Sequence, residues 1–171
     1  MVKIITNDNV EIDVQNEMAT FKISDKESLI GLFSNFIDND DDDDDVRVDV
    51  SSIMIKNVID YCKLYVDNKM KIPEKPLLSY DMKDNVQKPF AEFINKFSTL
   101  EVLQLILTAD YLQVKPLLSL AGSKIGSLIK GKTSKEINEK TLKWLTETPI
   151  EKLAVELDML VASEKVQDIN I

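Results

Sequence analysis

Between residues 116 and 130 the chain places Leu117, Leu118, Leu120, Ala121, Ile125, Leu128 and Ile129 at steps of three and four. Only an α-helix returns such positions to one side, so this stretch is expected to be helical with an unusually wide apolar arc. The constraint bites because the pattern runs straight through "GSLIKGKT" (126–133), which satisfies the phosphate-loop formula G-x-x-x-x-G-K-[ST]. A phosphate loop follows a buried strand, curls its amides around the anion and opens a helix only at the Lys-Thr pair. No strand pattern precedes this one, and Leu128 and Ile129 would stand bare beside a triphosphate. Residues 134–171 offer no apolar strand ending in an aspartate for magnesium. The spacing instead predicts that Gly131 ends one helix in the left-handed conformation and Thr133 caps the next, with Glu136 reaching back.

The rest of the second half has the same character. Helical patterns cover "PFAEFINKF" (89–97), "STLEVLQLILTADYL" (98–112), "SKEINEKTLKWL" (134–145) and "PIEKLAVELDMLVASEK" (149–165). Ser98 with Glu101 and Thr148 with Glu151 repeat the capping pair, and Pro116 and Pro149 suit first turns. The first half is mixed. "VKIITNDNVEIDV" (2–14) alternates about Asn7-Asp8-Asn9, which predicts a β-hairpin. A helix is expected over 26–37, where Leu29, Ile30, Leu32, Phe33, Phe36 and Ile37 form a stripe, and a short strand over "VRVDV" (46–50). Residues 51–68 give a further helix with Ile53, Ile55, Val58, Ile59, Cys62 and Tyr65 on its apolar side. Cys62 therefore reads as a core thiol. From 70 to 89 the pattern fades and Pro73, Pro76 and Pro89 punctuate it, as in an excursion between two parts of a fold.

Composition closes several function classes. The chain has no histidine, so Ser-His-Asp and Cys-His catalysis and a Cys/His zinc site are excluded. A carboxylate-based enzyme stays formally open, although acids scattered along helices usually form a solvated face and no pair is placed specifically enough to name; no cofactor is expected. A net charge of −9 argues against nucleic acid as a partner. The acidic run "DNDDDDDD" (38–45) reads as a solvated loop. As a calcium loop from Asp38 it would want Gly at 43 and Glu at 49, where Asp43 and Asp49 stand. No apolar run approaches the roughly 18 residues of a membrane span. The N-terminus has no signal-peptide pattern, and a single cysteine fits a reducing compartment, cytoplasm or nucleus.

At "ILTADYLQVKPLLSLAGSKIGSLIKGKTSKEI" (106–137) the chain resembles the S-phase kinase-associated protein family, adaptors that join F-box proteins to cullin in SCF ubiquitin ligases. "VSSIMIKNVIDYC" (50–62) is similar to a second family signature, with Tyr61 where the family has Trp. The hairpin, the acidic loop and the proline-broken middle follow in the same order, so the resemblance covers about residues 2 to 137. It implies an α+β, BTB/POZ fold: a small N-terminal β-sheet of about three strands flanked by helices, then a C-terminal helical extension. Residues 1–115 would form the BTB/POZ-like domain and 116–171 the helical F-box-binding region, divergent after about residue 138.

The resemblance further implies a non-catalytic adaptor of an SCF-type E3 ligase. Asp110 and Tyr111 would meet cullin, with Asp110 in place of the family's Asn. Leu117, Leu118, Ile125, Leu128, Ile129, Lys130 and Ile137 would meet the F-box. Ser134 replaces the proline of the family's K-G-K-T-P, and the family's acidic terminal segment is replaced by "TLKWLTETPIEKLAVELDMLVASEK". Independently, the arc of helix 116–130 is too wide for one neighbour to cover, which leaves part of it for a partner. Leu117, Leu120 and Leu128 serve equally well as ordinary core. The alternative is a BTB-type structural protein that forms homodimers or binds a non-F-box partner; homodimers are also expected when the F-box partner is absent.

Overall fold

The computed structural model describes residues 2–14, 21–24, 27–31 and 45–140. Its first element is the expected hairpin: β1 (Val2–Ile5) runs antiparallel to β2 (Glu11–Val14), with Val2 opposite Val14 and Ile5 opposite Glu11. Thr6 closes the turn, its amide donating to the Val10 carbonyl at 3.1 Å, and Asn9 takes φ 58°, a conformation that Asn tolerates better than most residues.

The helix expected over 26–37 does not begin there. Glu27–Ser28 form a strand, β4, antiparallel to β3 (Lys22–Ser24), and the chain then bends at Leu29 and Ile30. The bend sends two consecutive side chains into the core, where both are buried, and the Leu29 amide donates to the Phe21 carbonyl at 2.6 Å. Gly31 is needed next, because a Cβ on it would sit 2.8 Å from Gln113 Cβ. The remainder of that expected helix, and the acidic run up to Asp44, lie outside the described residues.

β5 (Val46–Arg47) pairs parallel to β1, giving the sheet order β2-β1-β5. The ladder is shorter than the alternation. Val46, Val48 and Val50 are buried and Arg47 and Asp49 exposed, and Val48 N and Asn7 N carry the contact onward by bonding Ile5 O and Val50 O.

Helices α1 (Ser52–Asp67), α2 (Lys88–Asn95), α3 (Thr99–Tyr111) and α4 (Lys115–Ile129) follow, with α4 packed against α3 and α1 against α3. α1 buries Ile55, Val58, Tyr61, Cys62 and Tyr65, the periodic side of its sequence. Tyr61 meets Phe90 and Phe93 at ring-centroid distances of 5.9 and 5.6 Å, and its hydroxyl donates to Met70 Sδ at 3.7 Å. The excursion between α1 and α2 holds one short 3₁₀ turn, Met82–Asp84, and buries Met70, Pro73, Met82 and Val86. Asn85 organises it: its side-chain oxygen accepts from the amides of Leu78 (2.8 Å) and Ser79 (3.3 Å), and its nitrogen donates to the carbonyls of Ser79 and Asp81.

The chain divides into two compact units, residues 1–130 and 131–171. The first is an α+β unit, and the described members of the hydrophobic core, from Ile4 to Ala121, lie in it. In the second, the described element is α5 (Ser134–Lys140). Residues 141–171, including the expected helix 149–165 and its Thr148–Glu151 cap, lie outside the described residues.

Candidate functional site

α3 is set by its ends. Ser98 Oγ accepts from Glu101 N at 3.3 Å while Glu101 Oε2 accepts from Ser98 N at 2.7 Å, the reciprocal cap expected from sequence. Val102, Leu105, Thr108 and Ala109 then face the core. The opposite side carries half-buried Leu103, exposed Asp110, and two exposed apolar residues one turn apart, Leu107 (72%) and Tyr111 (44%). Tyr111 Oη accepts from Asp49 N at 3.5 Å. Asp110 and Tyr111 are thus brought to the surface together, with Leu107 beside them; sequence reasoning had not singled out Leu107.

Past Gln113, which takes φ 56°, the chain turns into α4, with Pro116 in its first turn. Leu117, Leu120 and Ala121 have no exposed surface. Leu117, one of the residues that the resemblance assigns to the F-box and that serves equally well as core, lies in the core of this structure. Leu118, Ile125 and Leu128 are half-buried, Ile129 is 37% exposed and Lys130 is exposed. Lys130 Nζ donates to the carbonyl of Leu77 in the excursion.

Residues 126–129 of "GSLIKGKT" are the last turn of α4, so no phosphate cradle forms there. Gly131 takes φ 72°, as the sequence required. Within the second unit, Thr133 Oγ1 accepts from Glu136 N at 3.4 Å and Thr133 N donates to Glu136 Oε2 at 2.9 Å. Ile137 lies half-buried on α5.

Sequence reasoning missed an open groove of about 550 Å³ inside the first unit. Ser119, Gly122, Ser123 and Gly126 of α4 form its floor, spaced i, i+3, i+4 and i+7, a spacing visible in the sequence. Lys115 and Leu118 border it on the same helix, and Lys75 and Leu77 close it from the excursion. A Cβ on Gly126 would meet Leu77 Cδ1 at 3.2 Å, whereas one on Gly122 would meet nothing within 4 Å.

Burial pushes the Cys62 thiol up to about 12, so the thiolate needed for nucleophilic attack does not form at neutral pH. No group of three or more Cys, Asp or Glu among the described residues is arranged to hold a metal ion. No helix among them is long and apolar enough to cross a membrane.

No protein-family model matches the chain. Individual proteins do. The S-phase kinase-associated protein 1 homolog of Tetrahymena thermophila is 31% identical over 139 residues, which cover 81% of this chain and 79% of that protein. SKP1-like protein 11 of Arabidopsis thaliana is 38% identical over 91 residues, 51% of each chain. SCF ubiquitin ligase complex protein SKP1a of Dictyostelium discoideum is 25% identical over 144 residues, 81% of each.

Proposed function

Because the chain belongs to the S-phase kinase-associated protein family, we propose that it is a non-catalytic SCF ubiquitin-ligase subunit that bridges a cullin to F-box proteins in the cytoplasm or nucleus. The observation that carries this reading is that, among the described residues, one compact unit leaves apolar side chains at least partly exposed on two helices, and a bridge needs two faces. On α3 the face is Leu107, Asp110 and Tyr111, proposed for cullin. On α4 it is Leu118, Ile125, Leu128 and Ile129, proposed for the F-box helices. Burying a half-exposed apolar row of this kind at the centre of an interface supplies most of its affinity.

The test is reconstitution from purified parts: the full chain, a soluble F-box domain and a cullin N-terminal domain, followed by calorimetry and size-exclusion chromatography. A ternary complex is expected. Tyr111→Ala combined with Leu107→Ala should weaken the cullin arm alone, by about tenfold or more, and Ile125→Glu the F-box arm alone. No F-box complex at micromolar concentration would overturn the proposal. A homodimer that persists in the presence of the F-box domain would establish the self-associating alternative instead.

A further inference from the structure

The excursion between α1 and α2 is more than a connection. Asn85 holds its Leu78–Asp81 turn through four hydrogen bonds, Gln87 ties its start by bonding Lys69 O and Lys71 N, and Lys130 fastens the Leu77 carbonyl to the end of α4. Leu77 Cδ1 then rests where Gly126 has no side chain. So held, the excursion makes one wall of the 550 Å³ groove and keeps Ile72, Leu78 and Tyr80 exposed.

The groove's lining specifies what fits it. Its glycine- and serine-lined floor lets a partner backbone approach closely, and Leu77 and Leu118 form apolar walls. Lys75 borders it and no carboxylate is among the described residues that line it, in a chain whose net charge is −9. Local charge of the opposite sign to the whole molecule favours an anionic group on the occupant. We propose that the excursion is a second wall of the F-box-binding face and selects among F-box proteins. The favoured ones insert a Leu, Met or Phe between Leu77 and Leu118 and set an Asp or Glu against Lys75. The proposal rests on the reading of α4 as the F-box face and adds the excursion as its selecting element.

The experiment is calorimetric titration of a soluble F-box domain into the full-length wild type, Gly122→Phe, Lys75→Glu and Ile125→Glu, each checked for folding by thermal melting. Gly122→Phe fills open space and is expected to weaken binding by about tenfold or more. Lys75→Glu should weaken it several-fold at low salt and progressively less as salt rises. The methyl resonances of Leu77 should shift when the F-box domain is added. Should Ile125→Glu lose binding while Gly122→Phe and Lys75→Glu stay within about twofold of wild type and Leu77 does not shift, the selecting role of the excursion is wrong and the adaptor reading stands. Should the wild type bind no F-box domain, both fall. If Gly122→Phe does not fold, Lys75→Glu and the Leu77 shift decide alone.

Discussion

Asp8 ties the hairpin turn to the start of α1. Ser51 occupies the N-cap position of that helix but makes no side-chain cap bond. The carboxylate of Asp8, 44 positions earlier, accepts instead from Ser52 N at 3.0 Å and Ser52 Oγ at 2.6 Å, and Thr6 Oγ1 donates to it as well. Partial burial works against the charged form, but the hydrogen bonds from Ser52 and Thr6 outweigh it and hold the Asp8 carboxyl below its ordinary value. Asp8→Ala is expected to cost about 1–3 kcal/mol, measured by urea unfolding, because it leaves Ser52 without its acceptor. The sign of the pH effect follows from the lowered folded value: the folded state binds fewer protons, so this contribution is complete above the ordinary value of 3.8 and is lost as pH falls through the folded one. Asp8→Asn should flatten that part of the acid limb of a stability–pH curve. An unchanged limb would show that another carboxylate governs it.

At the scale of elements, helix ends separate local from tertiary causes. Ser98→Ala removes half of a reciprocal cap and should cost about 1 kcal/mol, with faster amide exchange at Glu101 and Val102. Gly131→Ala places a Cβ at φ 72° and should cost about 1 kcal/mol, although nothing lies within 4 Å of it. Both features were legible in the sequence, because caps and stops act within four residues. The four helices described in the first unit were legible for the same reason, through their period. Glu27–Ser28 was not: nothing local in the sequence marks these two residues as a strand, which they form only by pairing with Lys22–Ser24. The arc on α4 showed that some leucines must be covered, yet choosing between Leu117 and Leu118 requires knowing where α3 lies. The groove was illegible, since an irregular segment about 40 positions upstream of α4 supplies Leu77.

For the whole molecule, the described members of the core, from Ile4 to Ala121, lie inside residues 1–130. A fragment ending at Lys130 is therefore expected to fold by itself and to unfold in one cooperative transition. Its melting temperature should fall within about 5 °C of the full chain's, read by circular dichroism. A fragment that melts without cooperativity would mean that residues 131–171 are needed for the core. The family is legible at this scale through the run 106–137, which carries the exposed Asp110 and Tyr111 as well as the α4 row.

The aromatic residues divide along the same line. All four tyrosines, Tyr61, Tyr65, Tyr80 and Tyr111, precede residue 131, and the single tryptophan, Trp144, follows it. Tyr61 and Tyr65 lie in the ring cluster with Phe90, so near-ultraviolet dichroism from tyrosine reports the packing of the first unit. Red-edge fluorescence of Trp144 reports the second. A single unlabelled sample thus carries two optical channels, and loading with an F-box domain can be followed in each of them separately.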